Sequence, residues 1–329
     1  MAYRPDQFAK HYSATRQVIR NEIENADYLS FSIGGLFGDW GSVACYQAYC
    51  MNRPYAVWTD RVESEVVRRT STSGSWRNRV RAKLTHRPMA QLERYLIRRS
   101  ELGLFHGKET FDTYAPYCSN PHIVHDIHIK KDDHIKPSLV DEKAASTETG
   151  PLKIIYVGRA DAMKGGLDWV EVLSRLAQEG VQFQATWIGD GDDLLQMEKK
   201  AVEYGLDDRV SFPGFLSNRS DVLGELQKAD VFMFCHKTPE SPRCLIEALI
   251  SGTPIIGYDG AFARDLISKN GGGRLVELNN VDGLSNVMCD LHRNRNELAA
   301  LIRNAASDGA EFDDEHVFEH RSELIRRYL

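Results

Sequence analysis

The sequence predicts an α/β fold of two lobes, each built on a doubly wound parallel sheet. From Pro151 to Tyr258, apolar runs of strand length alternate with amphipathic helical patterns, which is the order of a parallel sheet covered by helices. Shorter strand–helix units precede this region, and 329 residues are enough for two separate cores. We therefore expect a first lobe over residues 1–145, a second over residues 146–310 and a terminal helix over residues 311–329.

The first lobe shows short apolar runs between helical patterns. Its expected elements are a helix over Pro5–Asn25, a strand over Tyr28–Ile33 that ends in a glycine turn at residues 34–38, a helix over Ser42–Met51, strands over Tyr55–Trp58 and Leu102–His106, and a helix over Gly107–Tyr114. In His122–His128, histidines alternate with apolar residues. We interpret this as a strand rather than a metal site, because no Cys or carboxylate partner has a matching spacing. The charged, turn-rich stretch Lys130–Gly150 predicts a linker and hinge.

The second lobe alternates strand and helix throughout. The expected order is strand 153–157, helix 165–179, strand 183–188, helix 192–204, strand 209–212, helix 219–228, strand 230–235, helix 242–251 and strand 254–258. Helical patterns over Asn296–Arg303 and Glu311–Tyr328 follow.

The composition is that of an ordinary globular protein and argues against a nucleic-acid-binding protein and a membrane-spanning one. Charged residues make up 27% and hydrophobic residues 42%, and the formal net charge of −6 does not suggest affinity for nucleic acid. We see no apolar run of the roughly 18 residues that a membrane span needs, and no signal peptide. The six cysteines show no Cys-x-x-Cys and no metal-ligand spacing. They predict structural thiols in a reducing cytoplasm.

The stretch from Ala229 to Tyr258 is the strongest candidate for a binding site. It predicts a strand, a loop, a helix and a strand, with Ser241 as the helix N-cap and Pro242 at the first helical position. A helix N-terminus at the carboxyl end of a parallel strand binds anions, phosphate above all. Two flanking carboxylates, Glu240 and Glu247, suit the hydroxyls of a sugar and a ribose. The alternative is that they are a loop charge and a solvated helix residue.

A second candidate follows the strand Lys153–Val157. Gly158, Arg159 and Lys164 lie in the turn between this strand and an amphipathic helix. Arg can grip a diphosphate as a bidentate fork and Lys as a point charge. Basic residues in loops are usually only solvated, so the interpretation depends on the carboxylate pair in the neighbouring unit.

Residues 153–292 resemble the nucleotide-sugar domain of the retaining glycosyltransferases of family 4, which have the GT-B fold of two Rossmann-like lobes facing a cleft. The resemblance rests on four stretches in the family's order: YVGRADAMKGG (156–166), WIGDGDD (187–193), VSFPGFL (210–216) and ADVFMFCHKTPESPRCLIEALISGTPIIGYDG (229–260). Together the four stretches are specific, although none would be so by itself.

The resemblance implies a role for each candidate residue. Arg159 and Lys164 would hold the donor diphosphate, Glu240 the transferred sugar and Glu247 the ribose. The family usually has seven residues between the two glutamates and this sequence has six, so Glu240 is offset by one. The sequence also has Asp265 where the family often has Glu. The full set of implied donor-binding residues is Gly158, Gly189, Asp190, Phe215, Ser241, Arg243, Cys244, Leu245 and Glu247.

The N-terminal part supplies one more candidate and one departure from the family. Asp60 follows the strand Tyr55–Trp58, where the family often has a His or Asp near the reacting sugar; the alternative is an Asp that caps the next helix. An acceptor-side GT-B lobe usually begins with a strand and a glycine-rich turn, whereas this sequence opens on a helix. We therefore expect an incomplete first lobe, trimmed or preceded by a further segment. The resemblance also implies that the terminal helix crosses back to this lobe.

The stretch Val66–Arg99 is strongly basic. It has one acid, Glu93, and its aromatic and aliphatic residues Trp76, Val80 and Leu84 recur at helical spacing. Such a segment suits an anionic membrane surface, at about 1 kcal/mol per basic residue. A nucleic-acid groove and a merely solvated face are the alternatives. The basic residues are Arg68, Arg69, Arg77, Arg79, Arg81, Lys83, Arg87, Arg94, Arg98 and Arg99.

Taken together, the residues and the resemblance predict a retaining glycosyltransferase. It would move a sugar from a nucleotide-diphosphate sugar to a hydroxyl of a glycan or lipid-linked acceptor, in cell-surface polysaccharide or glycolipid synthesis. We expect no metal, no cofactor and no nucleic-acid partner, and a cytoplasmic location, peripheral on the inner face of the plasma membrane. The alternatives are a GT-B nucleotide-sugar 2-epimerase and a truncated, non-catalytic protein that binds a nucleotide sugar.

Overall fold

A computed structural model describes residues 5–35, 38–70 and 76–329 of the chain. They form two compact units. The first contains the residues up to Asp126 together with Pro239–Ser241 and Glu315–Leu329, and the second contains Ile127–Thr238 and Pro242–Asp314. The division after Asp126 falls earlier than the boundary at residue 145 that the sequence predicts.

The helices are α1 (Pro5–Asn25), α2 (Trp40–Cys50), α3 (Glu63–Thr70), α4 (Trp76–Ile97), α5 (Gly107–Tyr114), α6 (Pro137–Ser146), α7 (Gly166–Gln178), α8 (Leu194–Glu203), α9 (Arg219–Lys228), α10 (Arg243–Ile250), α11 (Ala261–Leu266), α12 (Val281–Arg293), α13 (Arg295–Gly309) and α14 (Asp314–Tyr328). The strands are β1 (Ser30–Ser32), β2 (Ala56–Thr59), β3 (Leu102–His106), β4 (Pro121–Val124), β5 (Leu152–Val157), β6 (Phe183–Ile188), β7 (Val210–Gly214), β8 (Val231–Phe234), β9 (Ile255–Tyr258) and β10 (Gly273–Val276).

The first unit contains a four-stranded parallel sheet in the order β1-β2-β3-β4. Successive side chains of a strand alternate between the two faces of a sheet. Val57 and Phe105 accordingly pack into a core with buried residues of α1, α2 and α4. Ala56 and Leu104 pack on the other face, where Leu324 of α14 joins them. Both faces are covered, as a parallel sheet requires.

The second unit contains a six-stranded parallel sheet in the order β10-β9-β8-β5-β6-β7. Ile154 of β5 pairs with Ala185 of β6 on one side and with Val231 of β8 on the other. The chain therefore runs outward from β5 to β7 and then returns to the opposite side of β5. Such a reversal opens a crevice at the carboxyl ends of the strands, which is where open α/β sheets bind ligands.

The segment Lys130–Gly150 is not a linker, so that prediction is wrong. Its helix α6 belongs to the second unit and buries Lys143. The Lys143 Nζ donates to Thr253 Oγ1 at 2.6 Å, Ser251 O at 3.1 Å and Leu226 O at 3.3 Å. The segment is charged and rich in turns, but this buried lysine fixes it to the ends of α9 and α10.

Two other predicted stretches differ in the structure. The strand expected over His122–His128 ends at Val124, because the Asp126 N–H donates to the His106 ring rather than to a neighbouring strand. The basic stretch folds as the end of α3 and as α4. Leu36 and Phe37 of the predicted glycine turn, and the side chains of Arg77, Arg79 and Arg81, lie outside the described residues.

Candidate functional site

The second unit has a cavity of about 880 Å³ at the carboxyl ends of β5, β6 and β7. Backbone and side chains from the turns after these strands line it, with α9 and α10 completing the wall. The predicted site residues among its lining are Gly158, Arg159, Gly189, Asp190, Phe215 and Glu247. The structure therefore brings residues from the turns after β5, β6 and β7 together with Glu247 of α10.

Two glycines shape the wall of this cavity. Gly189 has a φ of +146°, and a Cβ at this position would lie 1.9 Å from the carbonyl oxygen of Gly158. The Gly158 N–H in turn donates to Ile188 O at 2.9 Å. Only glycine allows this backbone conformation together with so close an approach. The turns after β5 and β6 are thereby held against each other, with their backbone at the cavity.

Buried aromatic residues support the turn after β5. The Tyr156 ring stacks on Trp187 with centroids 3.9 Å apart, and its hydroxyl lies 2.8 Å from His236 Nε2. Burial lowers the pKa of the His236 imidazole well below its ordinary value, and the nearby Lys164 charge acts in the same direction. The imidazole is therefore neutral, and Tyr156 and His236 form a polar contact among buried aromatic side chains. Sequence reasoning did not identify either residue.

The two basic residues predicted to hold a diphosphate lie in different environments. Arg159 lines the cavity, and its exposed guanidinium lies 3.7 Å from the carboxylate of Asp161. Lys164 is buried and lies outside the cavity lining, and its N–H donates to Asp161 O at 2.9 Å. Gly165 follows with a φ of +67° as the N-cap of α7. The turn between β5 and α7 thus places Arg159, but not Lys164, among the residues that line the cavity.

Glu247 faces the cavity and is held there by an arginine that the sequence analysis missed. Arg219 Nη1 donates to Glu247 Oε1 at 2.9 Å, and Arg219 Nε lies 3.6 Å from Asp133 Oδ2. Arg219 is the first residue of α9, directly after the N-cap Asn218. Arg219 lies three residues after the stretch VSFPGFL (210–216), which contains the predicted donor-binding residue Phe215, and this position is the signal that would have identified it.

The predicted start of α10 is wrong by one residue. The helix begins at Arg243, with Pro242 as an N-cap that makes no side-chain cap. Ser241 therefore lies one residue before the N-cap, and its hydroxyl donates to His106 O at 2.5 Å. Leu245 is buried and its N–H donates to Pro242 O at 3.2 Å. Arg243, Cys244 and Leu245 are not among the residues that line the cavity.

Glu240 and Asp60 both belong to the first unit. The backbone of Glu240 forms an antiparallel bridge with Arg61, the residue after Asp60. Arg61 Nε donates to Glu63 Oε1 at 2.5 Å. The structure thus places Glu240 next to Asp60 and Arg61, which the sequence analysis did not connect.

Two classes of site are not found among the residues that the structure describes. Across residues 5–35, 38–70 and 76–329, no three His, Cys, Asp or Glu side chains form a group that could hold a metal ion. In the same ranges no helix has the length and apolar character needed to cross a membrane.

Residues 140–308 match the family described as glycosyl transferases group 1. A 2-deoxystreptamine glucosyltransferase of Streptomyces kanamyceticus is 33% identical over 122 residues, which are 37% of this chain and 31% of that protein. The amylovoran biosynthesis glycosyltransferase AmsK of Erwinia amylovora is 25% identical over 200 residues, 59% of this chain and 49% of that protein. The chain thus spans about a third to a half of these relatives.

Solved structures show the same fold at low sequence identity. HepE from Anabaena, in complex with UDP, has a TM-score of 0.72 at 14% identity and matches 99% of this chain and 85% of its own. Sucrose-phosphate synthase from Thermosynechococcus elongatus has a TM-score of 0.71 at 15% identity, over 98% and 77% of the two chains. The predicted α/β GT-B fold is confirmed. Because the family match covers just over half of its length, the chain belongs to the glycosyl transferases group 1.

Proposed function

We propose that this chain is a retaining glycosyltransferase of family 4. It transfers a sugar from a nucleotide-diphosphate sugar to a hydroxyl of a glycan or lipid-linked acceptor. The observation that carries the proposal is that Glu247 of α10 and Arg159 of the turn after β5 line one cavity at the carboxyl ends of parallel strands. The names of AmsK and of the putative colanic acid glycosyltransferase WcaL of Escherichia coli support a role in cell-surface polysaccharide synthesis.

The cavity suits a nucleoside diphosphate. Its volume of about 880 Å³ lies within the usual range for small-molecule sites. The Glu247 carboxylate can accept hydrogen bonds from both ribose hydroxyls, and the Phe215 ring, 74% exposed, offers a surface for a base. Arg159 supplies a guanidinium for the diphosphate. HepE was solved with UDP and with UDP-glucose, which supports a uridine donor for this chain.

The reaction then depends on electrostatic stabilisation rather than on an acid–base pair. Negative charge grows on the diphosphate as the sugar leaves, and Arg159, Lys164 and the N-terminus of α10 stabilise it. Glu240 holds hydroxyls of the sugar, and Asp60 orients the sugar or the acceptor. The acceptor hydroxyl attacks from the face that the diphosphate leaves and gives its proton to the leaving diphosphate oxygen as the new glycosidic bond forms, so the anomeric configuration is retained. The proposal needs no metal and no cofactor, because the nucleotide sugar is a substrate.

We also propose that α4 lies on an anionic membrane surface. Trp76, Val80 and Leu84 follow one another at intervals of four residues and are 64%, 48% and 70% exposed, so they form one apolar stripe. Exposed Lys83 and Arg87 accompany it. This combination favours a bilayer with anionic headgroups. Co-sedimentation with phosphatidylglycerol vesicles but not with phosphatidylcholine vesicles, abolished by W76S/L84S, is the expected result.

The donor site is tested by calorimetric titration of UDP and GDP into the whole chain. We expect one of them to bind, and both Glu247→Ala and Arg159→Ala, whose side chains line the cavity, to weaken its affinity about tenfold or more. Glu225→Ala is the matched control, because this exposed glutamate lies on α9 and outside the cavity. Unchanged affinity in both site variants would contradict the proposed donor site. The anomeric configuration of the transfer product then tests retention.

A further inference from the structure

The first unit has a cleft of its own, of about 510 Å³, between α3, α4 and α5. One face of α4 lines it, with Arg87, Gln91 and Arg94 at intervals of three and four residues. Arg68 and Arg69 of α3 line the opposite wall. Four guanidinium groups therefore converge on one concave surface.

The charge of this cleft is positive. Its lining has the carboxylates of Glu65 and Glu109 against the four guanidinium groups. Glu65 accepts from Arg68 Nε at 2.7 Å and from Arg69 Nε at 2.8 Å. Hydrogen bonds from these two arginines lower the pKa of Glu65, which keeps its carboxylate ionised. Glu65 thus holds two guanidinium groups in place and compensates one of their charges.

Four guanidinium groups against the carboxylates of Glu65 and Glu109 leave an excess of two positive charges, to which Arg87 and Arg94 contribute. Neither forms an ion pair with any residue in the described ranges, and Arg94 lies 5.0 Å from the centroid of the Tyr117 ring. Two guanidinium groups seven residues apart, two helical turns along one face, match the double charge of a phosphate group. Arginine is also the side chain whose planar donors fit phosphate oxygens in pairs. A merely solvated basic face would not need a concave wall that also carries Gln91 as a hydrogen-bonding group.

The cleft also reaches the segment that carries Glu240. Pro239, the preceding residue, is part of its lining. Within the first unit, the Glu240 backbone is fixed to Arg61 by the antiparallel bridge. A molecule in the cleft therefore lies beside the residue proposed to hold the transferred sugar.

We infer that this cleft binds a phosphate group of the acceptor, so that the acceptor is a sugar phosphate or a lipid-linked sugar phosphate. The inference rests on the proposed function and deepens it, because it gives the acceptor a chemical class. Arg87 and Arg94 bind the phosphate oxygens, while Arg68 and Arg69, oriented by Glu65, add to the positive field.

The experiment is calorimetric titration of glucose 1-phosphate into the whole chain at saturating UDP or GDP, so that the donor cavity is already filled. We expect binding to the wild type and a loss of about tenfold or more in affinity in R87Q/R94Q. Arg98→Gln is the matched control, because Arg98 is exposed and also lies 5.0 Å from the Tyr117 ring centroid, but is not part of the cleft lining. Thermal unfolding checks each variant, and the single Arg87→Gln replaces the double variant if the latter is unfolded.

The outcomes separate the two proposals and the two sources of phosphate. Binding of UDP or GDP without binding of glucose 1-phosphate at millimolar concentration, or equal affinity in R87Q/R94Q, would overturn the inference and leave the donor site intact. Failure to bind either nucleotide would count against the proposed function instead. Glucuronate bound as tightly as glucose 1-phosphate would overturn the assignment to phosphate. Farnesyl phosphate bound more tightly than glucose 1-phosphate identifies a lipid-linked acceptor, and the reverse order identifies a soluble one.

Discussion

Arg219 Nη1 donates a hydrogen bond to Glu247 Oε1 at 2.9 Å, and both side chains line the cavity of the second unit. The bond uses one carboxylate oxygen of Glu247 and leaves the other for a ligand. It also fixes the rotamer of a glutamate that is 18% exposed. Arg219 is therefore a positioning residue for the proposed ribose contact.

We expect Arg219→Ala to weaken binding of the preferred nucleoside diphosphate by a smaller factor than Glu247→Ala. The Arg219 side chain is 41% exposed, so solvent screens the pair, and a loss of about 1 kcal/mol is the reasonable scale. Arg219→Lys should restore part of the affinity, since a lysine keeps the charge but not the planar fork. Calorimetric titration measures all three variants, with Lys228→Ala at the exposed end of the same helix as control. Wild-type affinity in Arg219→Ala would show that Glu247 needs no partner.

The close approach of Gly189 to Gly158 predicts a sharp difference between two glycine substitutions. Gly189→Ala places a Cβ 1.9 Å from Gly158 O at a φ of +146°, so we expect destabilisation by more than about 2 kcal/mol. Gly224→Ala is the control, because this glycine lies inside α9 and its Cβ would meet no atom within 4 Å. It should stabilise the chain by about 0.5 kcal/mol. Urea unfolding measures both, and equal stabilities would contradict the close packing of the two turns.

The buried side-chain amine of Lys143 predicts a stability effect far from the cavity. Its Nζ donates to Leu226 O, Ser251 O and Thr253 Oγ1 at the ends of α9 and α10. Lys143→Met keeps much of the volume but leaves these acceptors without their donor, and we expect a loss of about 2 kcal/mol in the free energy of unfolding. Urea unfolding near the ordinary lysine pKa of 10.5, where loss of the proton no longer costs the folded chain free energy, measures it, with exposed Lys136→Met as control.

The same lysine predicts a dependence on pH. Burial lowers the pKa of Lys143 from its ordinary 10.5 to about 7. Between these values the unfolded chain binds a proton that the folded chain lacks, so stability rises with pH in this window. The free energy of unfolding of the wild type should therefore increase relative to that of Lys143→Met as the pH rises from about 7 to 10. The increase is at most about 1.4 kcal/mol per pH unit. A difference that stays constant over that range would contradict the lowered pKa.

The sequence predicted those features that depend on local pattern. The helix Arg219–Lys228 and the strand Phe183–Ile188 have the predicted bounds, since apolar periodicity decides both. The glycines of the cavity wall were also identified, because each follows a strand. These features need no information from distant parts of the chain.

Features decided by distant partners could not be predicted in this way. Lys143 makes a helix out of an apparent linker through acceptors 83 to 110 residues away. Ser241 has the local pattern of an N-cap, but its hydroxyl donates a hydrogen bond to the carbonyl oxygen of His106, 135 residues away. Arg219 became a site residue only through Glu247, 28 residues further on. In each case a hydrogen bond between distant parts of the chain decided the structure or the role of the residue, and the local sequence pattern could not show it.

His106 and Ser241 hold each other by two hydrogen bonds in the first unit. The Ser241 hydroxyl donates to His106 O at 2.5 Å, and His106 Nε2 lies 3.1 Å from Ser241 O. The Asp126 N–H donates to His106 Nδ1 at 2.9 Å, a shorter contact than the 3.3 Å from Nδ1 to Val124 O, and we therefore assign the ring proton to Nε2, which donates to Ser241 O. Burial lowers the pKa of His106, which keeps the ring neutral and this arrangement intact. Ser241, which these two hydrogen bonds fix in place, is the residue directly after Glu240.

We therefore expect His106→Ala to lower turnover of the nucleotide sugar about tenfold while leaving its binding unchanged. The reason is that the variant frees the backbone on one side of Glu240, whereas the residues that line the donor cavity belong to the second unit. His122→Ala is the matched control, because this histidine packs against Tyr328 with ring centroids 5.3 Å apart and makes no contact with Ser241. Steady-state kinetics beside calorimetric titration separates the two effects. Equal losses in turnover and in affinity would assign His106 to the fold rather than to the placement of Glu240.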